Sequence, residues 1–210
     1  EATGSVSIFP MGATTQESGS LFVYQINAQC SGVEEGDTCE NAQLFVPFEG
    51  GLNSGTGWKY TVLAGSPDHP VTGAVTNVGG RDGYLISFTN PLPAGTSTSV
   101  RFTAQPPNLT TPNGTTWQVE PEFTFTTAGL AKKEVAPIPS SGTANAVFSP
   151  TMEKRFSAIK TGPYSLGLTT IASGNIAWMR LQASAGNPEG TGELIYDPNV
   201  NVVLSDPLPE

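Results

Sequence analysis

The sequence predicts an all-β chain built of antiparallel sandwiches, and three observations carry that expectation. Of 210 residues, 24 are Gly and 18 are Pro, one residue in five, so turn formers abound where helix formers are scarce. Apolar residues recur at every second position wherever the chain is not rich in Gly and Pro. No amphipathic helical stretch of ten or more residues separates those segments, which disfavours a parallel βαβ architecture. With 37% hydrophobic and 9% aromatic residues the chain is too apolar to be disordered.

The elements follow in chain order. Residues 6–9 form a short first strand. Phe22, Tyr24, Ile26 and Ala28 point one way and Gln25, Asn27 and Gln29 the other. The same alternation places Ala42, Leu44, Val46 and Phe48 inward, then Tyr60 and Val62. A strand over Val71–Val78 precedes one that carries Tyr84, Ile86 and Phe88, and another carries Val100, Phe102 and Ala104. Asn113-Gly114 marks a tight turn before the clearest strand, residues 117–127. There Trp117, Val119, Phe123 and Phe125 share one face, and Gln118, Glu120, Glu122 and Thr124 the other. About eight short strands within 128 residues is the spacing of a sandwich.

Past Thr127 the composition shifts, with Lys132, Lys133 and Glu134 followed by Pro137, Pro139 and Gly142, and residues 129–142 are expected to be a linker or crossover. The expected organisation is a first sandwich over 1–128, that linker, and a second over 143–210. Strand candidates in the second lie at 144–148, 155–160, 164–171, 176–183, 193–196 and 200–204. Part of it repeats the first: Gly19, Leu21, Tyr24, Ile26 and Ala28 align with Gly174, Ile176, Met179, Leu181 and Ala183 at an offset of 155. Residues 41–46 likewise resemble 199–204. The final Pro207-Leu208-Pro209-Glu210 reads as a strand exit, so the second sandwich is either short or a fragment of a longer tandem array.

Charge and residue inventory narrow the function. Nine Lys plus Arg against 18 Asp plus Glu give −9, which argues against a nucleic-acid partner. No apolar run approaches the roughly 20 residues of a membrane span, and any export leader has been removed ahead of Glu1. Cys30 and Cys39 flank strands, and two cysteines with one histidine cannot complete a four-ligand soft-metal site. A disulfide in an oxidising compartment is the reading, with unpaired cytosolic thiols as the alternative. Glu34, Glu35 and Asp37 between them offer hard oxygens that could hold calcium, the one cofactor considered; the alternative is an exposed acidic loop. Asn108 and Asn113 open Asn-x-Ser/Thr triplets, which arise by chance in a Thr-rich chain. His69, between Pro67 and Pro70, reads as a solvated turn residue with no nucleophile elbow to serve. Glu120 and Glu122, about 7 Å apart along one strand face, are the pair a carbohydrate-active enzyme would need, set against an ordinary polar face. Trp58 and Trp117 fall with the buried set. Trp178 lies on the face opposite Met179 and Leu181, beside Arg180, and these two are the candidate ligand contacts.

Three stretches resemble the immunoglobulin-like repeats of cell-wall-anchored surface adhesins of high-GC, actinobacterial Gram-positive bacteria. They are GSLFVYQINAQC ending at Cys30, with CENAQLFV resuming at Cys39; LPAGTSTSVRFT from Leu92; and residues 199–210. The family, similar to the Ser-Asp-repeat adhesins, implies tandem immunoglobulin-like antiparallel β-sandwich domains that grip a host extracellular-matrix protein, collagen or fibrinogen, in a groove between domains. The chain lacks a latch strand and that family's Tyr-Thr-Phe-Thr-Asp motif. The resemblance also implies a spontaneous Lys–Asn amide in some members. Here Lys59 faces outward, while Lys154 and Lys160 share phase with Phe156 and Ala158. Leu208-Pro209-Glu210 could open a sortase signal, whose remaining parts are absent. The expectation is a non-catalytic, monomeric, extracellular region of a bacterial cell-wall adhesin. A structural stalk of a surface or pilus-like protein is the alternative, and a carbohydrate-binding or carbohydrate-active module the third reading.

Overall fold

The computed structural model of the chain describes residues 1–55, 57–108, 110–146, 149–166, 174 and 176–186. It separates into two compact units, Glu1–Ala146 and Val147–Glu210. Among the described residues every regular element is a strand.

Unit 1 holds thirteen strands: β1 (Thr3–Pro10), β2 (Thr15–Glu17), β3 (Phe22–Ser31), β4 (Thr38–Pro47), β5 (Lys59–Ala64), β6 (Val71–Val78), β7 (Arg81–Phe88), β8 (Leu92–Pro93), β9 (Thr96–Gln105), β10 (Thr115–Val119), β11 (Glu122–Thr127), β12 (Leu130–Val135) and β13 (Ser140–Asn145). They form a sandwich that is antiparallel except where β13 pairs with β2. One sheet runs β1-β3-β9-β5 and the facing sheet runs β12-β11-β4-β7-β6, with β8 capping the start of β4. A third, small sheet, β10-β13-β2, closes one end. The alternation read from sequence is the reason the sandwich closes: Phe22, Tyr24, Ile26 and Ala28 of β3 are buried, as are Leu44 and Val46 of β4, Ile86 of β7, and Val100 and Phe102 of β9. Phe102, Tyr60 and Tyr84 form a three-ring cluster, with Phe102 at centroid distances of 5.9 and 5.6 Å from the two tyrosines, which are themselves 6.2 Å apart. Burial pushes the Tyr60 and Tyr84 phenols above their ordinary range.

Two expectations are corrected here. Residues 117–127 are not one strand. Pro121 cannot donate to a ladder, and the chain breaks there into β10, in the small sheet, and β11, in the large one. The two halves nonetheless send Trp117, Val119, Phe123 and Phe125 into one core. Residues 129–142 are not a linker either, because they contain β12, zipped along β11, and the start of β13, paired with β10. The β11–β12 hairpin turns on Ala128-Gly129, both at positive φ (49° and 74°). An Asn-Gly or Asp-Gly turn would have announced it; alanine in that conformation does not. Left-handed backbone costs a residue with a Cβ about 1–2 kcal/mol, whereas Asn tolerates it. Ala128→Asn, at an exposed position, is therefore expected to raise stability by about 0.5–1 kcal/mol in chemical denaturation, with the m-value unchanged.

Unit 2 shows two strands among its described residues, β14 (Ser149–Ser157) and β15 (Trp178–Gly186), paired antiparallel from Ser149↔Gly186 to Ser157↔Trp178. Residue 144, expected in a strand of the second sandwich, belongs to β13 of unit 1. Tyr164 lies outside any strand, next to an isolated bridge between Phe156 and Ser165. The candidates at 193–196 and 200–204, residues 167–171 and the 199–210 motif fall outside the described residues. Gly19 and Gly174, aligned in the repeat, both take positive φ (83° and 91°) just before a strand, and the apolar residues two places on, Leu21 and Ile176, are both exposed.

Candidate functional site

Cys30, at the end of β3, and Cys39, at the start of β4, form a disulfide with Cα atoms 6.1 Å apart. β3 and β4 belong to opposite sheets, so the bond ties the two layers together at one end of the sandwich. Both cysteines are fully buried. The loop they close carries Glu34, Glu35 and Asp37, but these do not gather into a cation site. Asp37 turns back on its own loop, accepting the backbone N–H groups of Val33 and Glu34, each at 3.1 Å. The Glu34 N–H, and after it the ammonium of Glu1, hold its carboxyl below the usual range. Among the described residues no three His, Cys, Asp or Glu side chains converge on a point where a metal could sit.

The carboxylate pair expected at Glu120 and Glu122 is dismantled by the break at Pro121. Glu120 is exposed beyond β10, and Glu122 opens β11 with its side chain 10% exposed. Arg81 Nη1 and Nη2 donate to Glu122 Oε1 and Oε2 at 2.8 and 2.7 Å, and Lys133 Nζ lies 2.8 Å from Oε2. The guanidinium also lies over the Phe45 ring at 5.4 Å and 3.8 Å from Glu49. Three strands, β7, β11 and β12, are pinned by one carboxylate. Arg81 foremost, then Lys133, holds that carboxyl below its ordinary range against the opposing effect of burial, the opposite of the raised pKa that a glycosidase acid uses.

Because the folded-state pKa of Glu122 is depressed, its stabilising contribution is complete above the unfolded value of about 4.3 and is lost as pH falls from there through the folded value. Glu122→Gln is expected to cost about 1–2 kcal/mol at pH 7, discounted because both cations are partly solvated. The gap between wild type and variant should close on acidification. Urea midpoints collected from pH 7 down to pH 3 would measure it.

His69 sits half-buried in the 66–70 turn, its backbone N–H donating to Ser66 C=O at 3.3 Å. Trp178 and Arg180 share one face of β15, as their spacing required. Trp178 is half-buried beneath Lys160, whose Nζ lies 5.3 Å from the ring, and Arg180 is exposed, opposite Arg155 in register. Lys154 and Lys160 are exposed, so neither occupies the core position that a Lys–Asn amide requires.

The feature that sequence reasoning missed is how the ends of unit 1 are held. β13, which leads out to Ala146, pairs parallel with β2, matching Thr143 to Thr15, Ala144 to Gln16 and Asn145 to Glu17. Backbone bonds of 2.7 Å extend that pairing both ways, from Thr143 N–H to Thr14 C=O and from Ser18 N–H to Asn145 C=O. Upstream of β2, β1 runs along β3 for eight residue pairs. The three-residue β2 has no periodicity to read, and parallel pairing of residues 128 apart in sequence leaves no local signal.

No protein-family model matches this chain, and no curated protein matches it. Solved structures similar to it include the full-length major pilin SpaD from Corynebacterium diphtheriae, 11% identical, with 87% of this chain and 49% of that chain covered at a TM-score of 0.47. A structure of domains D2 and D3 of the same pilin is 11% identical over 86% of this chain and 73% of that one, TM-score 0.45. BcpA, the major pilin subunit of Bacillus cereus, is 9% identical over 88% and 55%, TM-score 0.44. The chain thus spans about half the length of the full-length SpaD and of the BcpA chain. These three are pilins, not Ser-Asp-repeat adhesins, and a likeness at this level carries no assignment of activity.

Proposed function

We propose that the chain is a non-catalytic, tension-transmitting spacer of an extracellular surface protein, the stalk reading in place of the matrix-binding one. The observation that carries this is the parallel pairing of β2 with β13. Force entering ahead of β1 and leaving after β13 pulls two parallel neighbours in opposite directions along their axes. Their hydrogen bonds are then loaded together in shear instead of being opened one at a time. Arg81, Lys133 and Glu122 cross-brace the large sheet, and the Cys30–Cys39 bond joins it to the facing sheet. That bond suits an oxidising, extracellular setting. Stretching single full-length molecules tests the proposal. Thr143→Pro, which deletes the donor to Thr14, should lower the unfolding force of unit 1 well beyond the effect of a control proline in the exposed 33–36 loop. Equal forces in the two variants would defeat it.

The adhesin reading keeps one observation in its favour, the half-exposed Trp178 beside exposed Arg180. Saturable binding to collagen or fibrinogen that disappears in Trp178→Ala would establish it over the spacer.

A further inference from the structure

We infer that the open edge of β6 is a self-association surface, on which a second copy of this chain pairs β6 to β6 in antiparallel fashion. The sandwich has four outer strands, β1, β12, β5 and β6. An outer strand presents unpaired N–H and C=O groups, and proteins normally blunt it with charge or proline. β12 carries Lys132, Lys133 and Glu134, β5 begins at Lys59, and β1 ends on Pro10. β6, VTGAVTNV, has eight residues, no charge and no proline. Among the described residues it pairs only with β7, through a two-residue turn at Gly79-Gly80 whose positive φ values (60° and 85°) only glycine adopts cheaply. The residues flanking such a turn, Val78 and Arg81, form the hydrogen-bonded pair of the ladder. Thr72, Ala74, Thr76 and Val78 therefore spend their backbone groups on β7, while Val71, Gly73, Val75 and Asn77 direct theirs outward.

Three things point to a second copy as the occupant. Unit 1 holds five Lys plus Arg against twelve Asp plus Glu, net −7, so two copies repel over most of their surfaces and can approach along an uncharged strip. The strip is self-complementary: a two-fold axis through Ala74 sets the two Ala74 residues face to face, Thr72 against Thr76 and Gly73 against Val75. Val75, paired with core Tyr84, points to the core side of its sheet yet is 54% exposed, so apolar surface at this edge awaits cover. Pairing joins the two large sheets into one continuous sheet, with every outward backbone group of β6 satisfied.

Sedimentation equilibrium of the full chain at physiological salt is expected to show a monomer–dimer equilibrium with a dissociation constant of about 10–100 µM. Raising salt should tighten it, because screening weakens the repulsion between acidic copies. Ala74→Lys, at an exposed position, sets lysine against lysine and should weaken association at least about tenfold with the circular dichroism unchanged. Under mild oxidation Ala74→Cys should give a disulfide-linked dimer, and Thr72→Cys, which faces Thr76, should not. A chain that stays monomeric up to roughly 200 µM, a dimer indifferent to Ala74→Lys, or a dimer that Ala74→Cys fails to cross-link would each overturn the inference.

Discussion

Trp117→Ala is expected to destabilise unit 1 by about 3–5 kcal/mol, close to the whole stability of many domains. Trp117 is 1% exposed and meets Phe22 edge-on at 4.6 Å and Trp58 at 5.4 Å. Its indole rests on Gly142, directly opposite it on β13, where any Cβ would overlap the ring and the Tyr24 hydroxyl. Glycine offers no side chain to fall into the space, so the cavity cannot collapse. The indole Nε1 also donates to Tyr24 Oη at 2.9 Å, and Tyr24 in turn donates to Ser141 C=O at 3.3 Å. Burial pushes that phenol up to about 12. Removing the indole thus costs transfer energy, an unfilled cavity and a donor to a buried hydroxyl. Trp117→Phe keeps most of the volume and should cost about half as much. Urea unfolding monitored by far-UV circular dichroism would measure both, and a loss under about 1 kcal/mol for the alanine variant would show that the joint between the small sheet and the sandwich does not depend on this ring.

Replacing Cys30 and Cys39 together by alanine is expected to cost about 2.5 kcal/mol and lower the melting temperature by roughly 8–10 °C. The magnitude comes from closing a short loop in the unfolded chain, nine residues in sequence separation. Alanine avoids leaving a hydroxyl at two fully buried positions. Reductant should reproduce the loss in wild type and do nothing to the double variant. If wild type proved indifferent to reductant, the bond would be irrelevant to stability and the joining of the two sheets at this end would rest on packing alone.

Both predictions rest on features of unequal visibility in the sequence. The burial of Trp117 and the pairing of Cys30 with Cys39 follow from parity and elimination. The hydrogen bond from Trp117 to Tyr24 does not, because 93 residues separate them and nothing near either announces the other. Glu122 shows the same division. Its position on a polar face was legible, but its two cations come from residues 81 and 133, one of them in a segment whose turn carries alanine where glycine or asparagine is the usual sign. Parity puts Trp178 and Arg180 on one face, but the alternation that extends a strand to Lys160 misleads: β14 ends at Ser157, and Lys160 reaches the indole from the turn beyond it.

By itself the sequence determined that the chain is made of strands, which apolar side chains of the alternating ones face the core, and that two thiols lie at strand ends able to meet. Those are local properties, since side-chain direction alternates with each residue whatever lies across the sheet. The tertiary structure alone decided which strand lies beside which: that a proline splits one apparent strand between two sheets, that an apparent linker is a hairpin, and that β13 closes on β2. Pairing of distant strands is settled by the summed burial and hydrogen bonding of the whole sandwich, and no single segment carries that sum.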